Sequence, residues 1–378
     1  MKNNSKEVLL LCRIGFEKEC SAELIAKGAE FGFTAFAKAK ENSGYARVIF
    51  HECPFDNEQL GYALRAKKLI FTRQLFVIVT ELKSLPEADR ISPIIAAITD
   101  NAICKEWMPG NEPLCFGHVR VETADTNEAR ELLPFCSSFG NPLRQHLKKA
   151  KLLVEHKGPG LQLTPTLHIL FFSYSDAIVG VSTPKMSSPW DMGIPRFKFP
   201  SAAPSRSTLK LDEAFSILLP SPVQKALLAP GKTAVDLGAA PGGWCYQFIR
   251  RHMDVIAVDN ANVAQSLIET GLCTHIREDG FRYRPKKPVT WMVCDMAEQP
   301  SRIAALAADW LVAGQCEASL FNLKLPMKKR LDEVMQCLNK LKETLMHETN
   351  IEYVVRCKHL YHDREEVTVA VYPTKVSR

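Results

Sequence analysis

Thr233-Ala234-Val235-Asp236-Leu237-Gly238-Ala239-Ala240-Pro241-Gly242-Gly243-Trp244 decides the fold. A short apolar run ends on an acid, a turn containing Gly and Pro follows, and Trp244 to Arg251 can continue as a helix. Strand, tight turn and helix within about a dozen residues describe the first crossover of a nucleotide-binding α/β sheet. Free backbone N–H groups at the helix start suit an anion, and the glycines let a ligand come close to the backbone. Pro241 departs from the Gly-x-Gly-x-x-Gly spacing of dinucleotide sites. An ordinary βα turn with glycines for steric reasons is the bland alternative.

On either side of that turn a regular alternation runs from Ser205 to the C-terminus. A helix (Thr208 to Leu219) precedes the first strand, and further strands read Val255 to Val258, His275 to Arg277, Trp291 to Cys294, Ser319 to Leu323, Ile351 to Cys357 and Val367 to Tyr372. Helical stretches at Val263 to Thr270, Arg302 to Val312 and Lys328 to Met346 lie between them, which predicts a doubly wound sheet. The last connection, Lys358 to Glu366, is too short for a crossover helix, so the final two strands are expected to be antiparallel neighbours.

Upstream, Val8 to Arg13, Phe31 to Lys38, Gly44 to His51 and Phe71 to Leu82 read as strands, with helices at Phe16 to Ile25 and Asp56 to Ala66. That β-α-β-β-α-β order predicts a ferredoxin-like α+β unit over 1–83. Over 84–182 the pattern gives a helix (Ser92 to Trp107), a strand (Leu114 to Thr123), helices at Glu128 to Leu133 and Pro142 to Ala150, and a hairpin of Thr166 to Ser173 with Ala177 to Ser182. Arg144, Lys148, Lys149 and Lys151 follow helical spacing. They are either a solvated helix face or a phosphate contact. Residues 183–204 carry five prolines without periodicity and read as a semi-rigid linker before the unit 205–378.

At 378 residues the chain is expected to hold two or three domains, and 46% hydrophobic with 24% charged residues is ordinary for a globular core. The net charge of +6 carries no polybasic tail; it is compatible with a phosphate-bearing partner without requiring one. Twelve cysteines form no Cys-x-x-Cys pair and no zinc-spaced cluster, so no metal and no disulfide framework is expected. No signal peptide and no bilayer-length apolar run is read, and the expectation is a cytoplasmic protein, a monomer, with no membrane partner.

The chemistry gathers where strands of the C-terminal unit end. Asp236, Asp259, Asp279, Asp295 and Lys324 close or follow successive strands, the rim on which open α/β sheets bind ligands. Asp259 is placed to hold ribose hydroxyls, with helix capping as its plain alternative. Asp279 suits an adenine amino group, or is simply a turn acid before Gly280. Lys324 stands in Phe321-Asn322-Leu323-Lys324-Leu325, a run expected to be covered on both faces, so it must be paired, reach the strand end, or work. Beside a second cation, Lys210, its pKa is expected to fall far enough for it to act as a base. Asp295 is placed to orient it, and Glu366 to complete the group.

Taken together, Ser205-Arg206-Ser207-Thr208-Leu209-Lys210-Leu211, Asp236-Leu237-Gly238-Ala239-Ala240-Pro241-Gly242-Gly243-Trp244, Val293-Cys294-Asp295-Met296, Asn322-Leu323-Lys324-Leu325-Pro326-Met327-Lys328-Lys329-Arg330 and Asp363-Arg364-Glu365-Glu366-Val367 resemble the FtsJ-type RNA 2′-O-ribose methyltransferases. The resemblance extends over nearly the whole chain. It implies a class I, Rossmann-like methyltransferase sheet with an antiparallel last strand, preceded by the ferredoxin-like unit and a THUMP RNA-binding domain. It implies S-adenosyl-L-methionine as cofactor, held by Ser207, Ala240, Pro241, Gly242, Gly243, Asp259, Asp279 and Asp295. The family's Lys-Asp-Lys-Glu tetrad falls on Lys210, Asp295, Lys324 and Glu366, with Glu365 an adjacent competitor for the last place. The implied reaction methylates the ribose 2′-OH of a cytidine in 23S ribosomal RNA, with Lys324 as proton acceptor. Where the family often has Cys before Pro-Gly-Gly, this chain has Ala240.

Two other readings stay open on the sequence. An RNA base methyltransferase keeps the fold. However, Asp295-Met296-Ala297-Glu298 lacks the Asn/Asp-Pro-Pro-Tyr/Phe of amino-group methylases, and Cys294 is a poor candidate nucleophile inside a strand. A non-catalytic rRNA-binding assembly factor needs no intact set of strand-end residues, yet the set is intact.

Overall fold

The apolar runs of the first half pair into one mixed sheet. Among the residues the computed structural model describes (6–51, 65–101, 104, 114–154 and 164–376), the chain divides into two units, Met1–Pro195 and Arg196–Arg378. In the first, β1 (Lys6–Leu11), β2 (Thr34–Ala39), β3 (Tyr45–His51), β4 (Gln74–Leu82), β5 (His118–Thr123), β6 (Thr166–Phe171) and β7 (Ala177–Ser182) lie in the order β2-β3-β1-β4-β7-β6-β5. The first four strands have the ferredoxin-like order. The pairing of β4 with β7 then joins the ferredoxin-like strands and the following segment into a single sheet. The helix expected at Asp56 to Ala66 falls almost wholly outside the described residues, and of the one expected at Ser92 to Trp107 the described part is α2 (Ile91–Thr99).

One face of this sheet is covered by helices. α1 (Glu17–Ala29) buries Cys20, Leu24 and Gly28, and Gly28 is needed because a Cβ there would meet Phe50 at 2.8 Å. α3 runs unbroken over Leu133–Lys149, after a 3₁₀ turn at Ala129–Leu132, where the sequence suggested two separate helices, Glu128 to Leu133 and Pro142 to Ala150. Pro142 is exposed, so its ring and its lost N–H fall on the solvent side of a helix held by buried Cys136, Leu143 and Leu147. Arg144 turns inward to the Val119 carbonyl (3.0 Å), while Lys148, Lys149 and Lys151 stay exposed.

The opposite face carries Gln74, Phe76, His168, Arg120 and Glu122, and residues 183–195 lie against it. The Gln74 amide accepts from Ser188 N and donates to the Trp190 carbonyl, Arg120 donates to the Pro189 carbonyl, and Glu122 accepts from Met192 N. The first part of the expected linker is therefore a fixed strap.

The second unit opens with α4 (Thr208–Leu218) and α5 (Ser221–Leu227). Its strands are β8 (Thr233–Leu237), β9 (Asp254–Val258), β10 (Cys273–Ile276), β11 (Val289–Cys294), β12 (Cys316–Lys324), β13 (Tyr353–Lys358) and β14 (Glu366–Pro373), ordered β10-β9-β8-β11-β12-β14-β13. The crossovers carry α6 (Gly243–Ile249), α7 (Gln265–Ile268), α8 (Pro300–Val312) and α9 (Arg330–Glu348). Strands β10 to β12 in this order are parallel, and β14 lies antiparallel to both β12 and β13, as the short last connection predicts. The direction of chain progression reverses between β8 and β11, so the crevice for a ligand opens at their carboxyl ends. Because β14 runs the other way, its first residue, Glu366, arrives at that same rim.

Candidate active site

The β8–α6 turn is shaped by its glycines. Gly238 has φ +78° and Gly242 φ +111°; a Cβ would stand 2.6 Å from Met296 Cγ at the first and 2.4 Å from Leu267 Cδ1 at the second. Only glycine takes these conformations at low cost. Gly243 lies against the start of α4, where a Cβ would be 2.1 Å from Ser207 Oγ and 3.1 Å from Thr208 N. The turn and the Lys210-bearing helix are thus packed backbone to backbone. Gln247 reinforces this by donating to the Thr208 carbonyl (3.0 Å) and hydroxyl (2.8 Å).

Asp236 is not at the open rim. It is 1% exposed, takes a hydrogen bond from the Cys245 thiol at 3.0 Å, and burial pushes its pKa up to about 7, aided by Asp295 and Asp259. Asp259 and Asp279 are accessible. Asp259 accepts from Ala240 N (2.9 Å) and Ala261 N (2.8 Å), and Asp279 from Phe281 N (2.8 Å). Asp279 performs the turn role given as its alternative, whereas Asp259 bonds the β8–α6 turn and its own loop and caps no helix, since α7 follows Ala264 without a side-chain cap. Each keeps acceptor capacity, because a carboxylate offers about four lone-pair sites. Accessible acceptors at the ends of β9 and β10, beside a turn whose glycines leave the backbone bare, fit an adenosyl group. Asp259 and Asp279 are the residues that would hold it.

The tetrad converges from four elements. Lys210 Nζ lies 3.2 Å from Asp295 Oδ2 and pairs with Glu366 Oε1; Lys324 Nζ lies 2.7 Å from Asp295 Oδ1 and pairs with Glu366 Oε2. Two cations and two carboxylates alternate in a closed ring. The Lys324–Glu366 contact follows from register, because the two are Cα partners in the β12–β14 ladder. Glu365 faces away and pairs with Arg330 at 3.0 Å, so Glu366 is the glutamate of the ring.

The ring's electrostatics correct one expectation. Burial does work to lower the Lys324 pKa, but Asp295 and Glu366 outweigh it and hold it above the usual lysine value. Asp295 is the mirror case: burial opposes its charge, Lys210 and Lys324 restore it, and its pKa is lowered. The neighbouring cation does not decide Lys324, because two carboxylates stand closer.

Behind the ring lies a buried polar layer that the sequence reading missed. Asn322 Nδ2 donates to Asp295 Oδ1 (2.8 Å), and Thr368 Oγ1 contacts Asn322 Oδ1 (2.8 Å) and both oxygens of Asp363 (3.0 and 3.1 Å). Glu213, one turn after Lys210, accepts from Tyr361 N (2.8 Å), His362 N (3.0 Å) and His362 Nδ1 (2.6 Å), fixing the loop that leads into Glu366. Asn322 was legible as a polar residue in a strand buried on both faces; Glu213 gave no comparable sign. Cys294 is fully buried and burial pushes its thiol up to about 12, so no thiolate nucleophile forms there.

The FtsJ-like methyltransferase family matches residues 203–363, the ferredoxin-like domain of ribosomal RNA large subunit methyltransferase M matches 5–76, and the N-terminal domain of the same enzyme matches 89–183. Ribosomal RNA large subunit methyltransferase M of Cronobacter sakazakii is 48% identical over 368 residues, covering 97% of this chain and 96% of the relative. The protein of the same name from Pectobacterium atrosepticum is 48% identical over 97% of this chain and 96% of its own length, and that from Shewanella sp. (strain MR-7) 46% over 97% and 98%. The chain belongs to the ribosomal RNA large subunit methyltransferase M family.

Proposed function

We propose that this chain methylates the ribose 2′-hydroxyl of a cytidine in 23S ribosomal RNA, with Lys324 accepting the hydroxyl proton. The broader statement follows from its family: the chain is an S-adenosylmethionine-dependent rRNA methyltransferase. The observation that carries the finer reading is the closed ring of Lys210, Asp295, Lys324 and Glu366 at the β8/β11 crevice. S-adenosylmethionine, when bound, supplies an electrophilic methyl group on a cationic sulfonium.

A ribose hydroxyl is a weak nucleophile until its proton leaves as the new bond forms, and a positioned base contributes about 10²–10⁴-fold. Lys324 sits at the strand end with part of its side chain exposed, whereas Glu366 is nearly covered. In the ring two positive charges balance two negative ones. An added cation beside it favours loss of a proton, and Lys324 is the more accessible lysine to give it up. The neutral amine then takes the 2′-hydroxyl proton, with Asp295 and Glu366 stabilising the ammonium that results. Lys210 helps keep Asp295 charged and holds both carboxylates in place. Ser207, Ala240, Pro241, Gly242, Gly243, Asp259, Asp279 and Asp295 are assigned to the cofactor.

The first unit is assigned to RNA binding as a THUMP-containing module, and the chain to the cytoplasm as a monomer. Among the described residues, no helix is long and apolar enough to cross a membrane. The test compares 23S rRNA from cells with and without the protein after alkaline hydrolysis. Ribose methylation leaves one cytidine-containing dinucleotide resistant only when the protein is present. A methylated base released as an ordinary mononucleotide would overturn the assignment.

A further inference from the structure

The layer behind the ring holds more hydrogen-bond contacts than an ionised Asp363 can satisfy. Asp295 is held as a carboxylate, so only the N–H₂ side of the Asn322 amide can face it. The amide oxygen of Asn322 must therefore face Thr368, and it can only accept. Thr368 has a single hydroxyl hydrogen, and this contact uses it. Yet the same hydroxyl oxygen lies 3.0 and 3.1 Å from the two oxygens of Asp363, and both residues are fully buried. A carboxylate there would face a lone pair with no hydrogen between. The contact is satisfied when Asp363 itself donates to Thr368 Oγ1 while its Oδ2 accepts from Leu360 N (3.0 Å).

We propose that Asp363 is a neutral carboxylic acid and a positioning residue, fixing Asp295 through Thr368 and Asn322. The proposal rests on the reading of Asp295 as part of the reacting ring. The surroundings agree. Burial, then Glu366 on β14 and Glu213 on α4, raise Asp363 well above the usual aspartate range, and Leu360 N and Lys210 oppose them without prevailing. His359 and His362 are the titratable neighbours within its own loop, with Nε2 of the first on the Arg364 carbonyl and Nδ1 of the second on Glu213. Glu366 and Glu213, the acidic neighbours, make a neutral group there preferable to a further carboxylate.

The sign of the pH effect follows. The folded protein keeps a proton that an unfolded Asp363 loses above its ordinary value of 3.8. Its contribution to stability is thus complete below that value and is lost as pH rises toward the raised folded pKa. An asparagine in its place reproduces the hydrogen bonds, its N–H₂ donating to Thr368 and its oxygen accepting from Leu360, and has no proton to lose.

The test measures kcat, cofactor affinity and melting temperature for Asp363→Leu, Asp363→Asn and Thr368→Val. Asp363→Leu and Thr368→Val should each lower kcat about tenfold, the size of one lost positioning hydrogen bond, with a smaller loss of cofactor affinity. Asp363→Asn should restore most of that loss, and its melting temperature should exceed that of the wild type by more at about pH 8 than at about pH 5. An Asp363→Asn variant as inactive as Asp363→Leu, or less stable than wild type at the higher pH, would show an ionised aspartate and overturn the proposal. The melting curves need no turnover, so they stand even if Lys324→Ala proves active and the ring has another role.

Discussion

Lys324 and Glu366 are cross-strand partners on the last rung of the β12–β14 ladder, and their side chains meet on the same side of the sheet. A parallel last strand would have brought its other end to this rim. The antiparallel return is what puts a glutamate opposite the lysine, and the carboxylate pair Asp295 and Glu366 then decides the lysine's protonation. The topology of the sheet edge and the chemistry of the site are one fact.

Lys324→Ala should abolish turnover while leaving S-adenosylmethionine binding within a few-fold of wild type, measured by equilibrium dialysis. The pH profile gives a second check. In the free enzyme Asp295 and Glu366 hold Lys324 above its ordinary 10.5, so the deprotonated fraction grows about tenfold per pH unit below that value. The logarithm of kcat/KM for the cofactor, which reports the free enzyme, should rise with a slope near one through neutral and mildly alkaline pH. A plateau beginning near neutrality would remove Lys324 as the base.

Glu213→Ala removes the acceptor of two backbone N–H groups, Tyr361 and His362, in a loop whose far end carries Glu366. Each buried donor left unpaired costs about 1–3 kcal/mol. The variant should unfold at lower denaturant concentration and show faster amide exchange at residues 360–363. Its kcat should fall together with its stability. Unchanged exchange in that loop would mean that Asp363 alone holds it.

Gly242→Ala places a side chain at φ +111° with its Cβ 2.4 Å from Leu267 Cδ1. Backbone strain of this kind costs about 1–3 kcal/mol, before any displacement of the α7 segment. Cofactor affinity should drop by at least about tenfold, and the melting temperature should fall. A calorimetric titration showing wild-type affinity would mean that the turn approaches no ligand.

How much of this was legible depended on how local each cause is. Asp259, Asp295 and Lys324 were visible because strand ends recur in chain order and the rim collects them. Asp236 shared that pattern, yet Cys245, nine residues later, roofs it over. The choice between Glu365 and Glu366 needed the register of β14, which one residue of slip would invert. The chain from Asp363 through Thr368 and Asn322 to Asp295 joins three separate elements, and no spacing rule links them. Residues 134–141, expected to separate two helices, misled for the opposite reason: their weak local pattern was overridden by the packing of one continuous helix on β5. The strap at 183–195 read as a linker because its polar anchors, Gln74 and Glu122, lie far away in sequence.

Lys329 begins α9 in a left-handed conformation (φ 56°, ψ 37°), with its side chain exposed just beyond the strand end of Lys324. Glycine would adopt that backbone freely, whereas a lysine costs roughly 1 kcal/mol there. Retaining a charge at a strained position points to work for the charge, and RNA phosphate beside the reacting ribose is the anion on offer. Lys329→Gly should therefore raise the melting temperature while weakening rRNA binding. The slope of log affinity against log salt should shrink by about 0.7–0.9, the share of one phosphate contact. Lys329→Ala should weaken binding equally but give no gain in stability, since alanine keeps the strain. If Lys329→Gly binds RNA with an unchanged salt slope, the strain serves only the turn into α9.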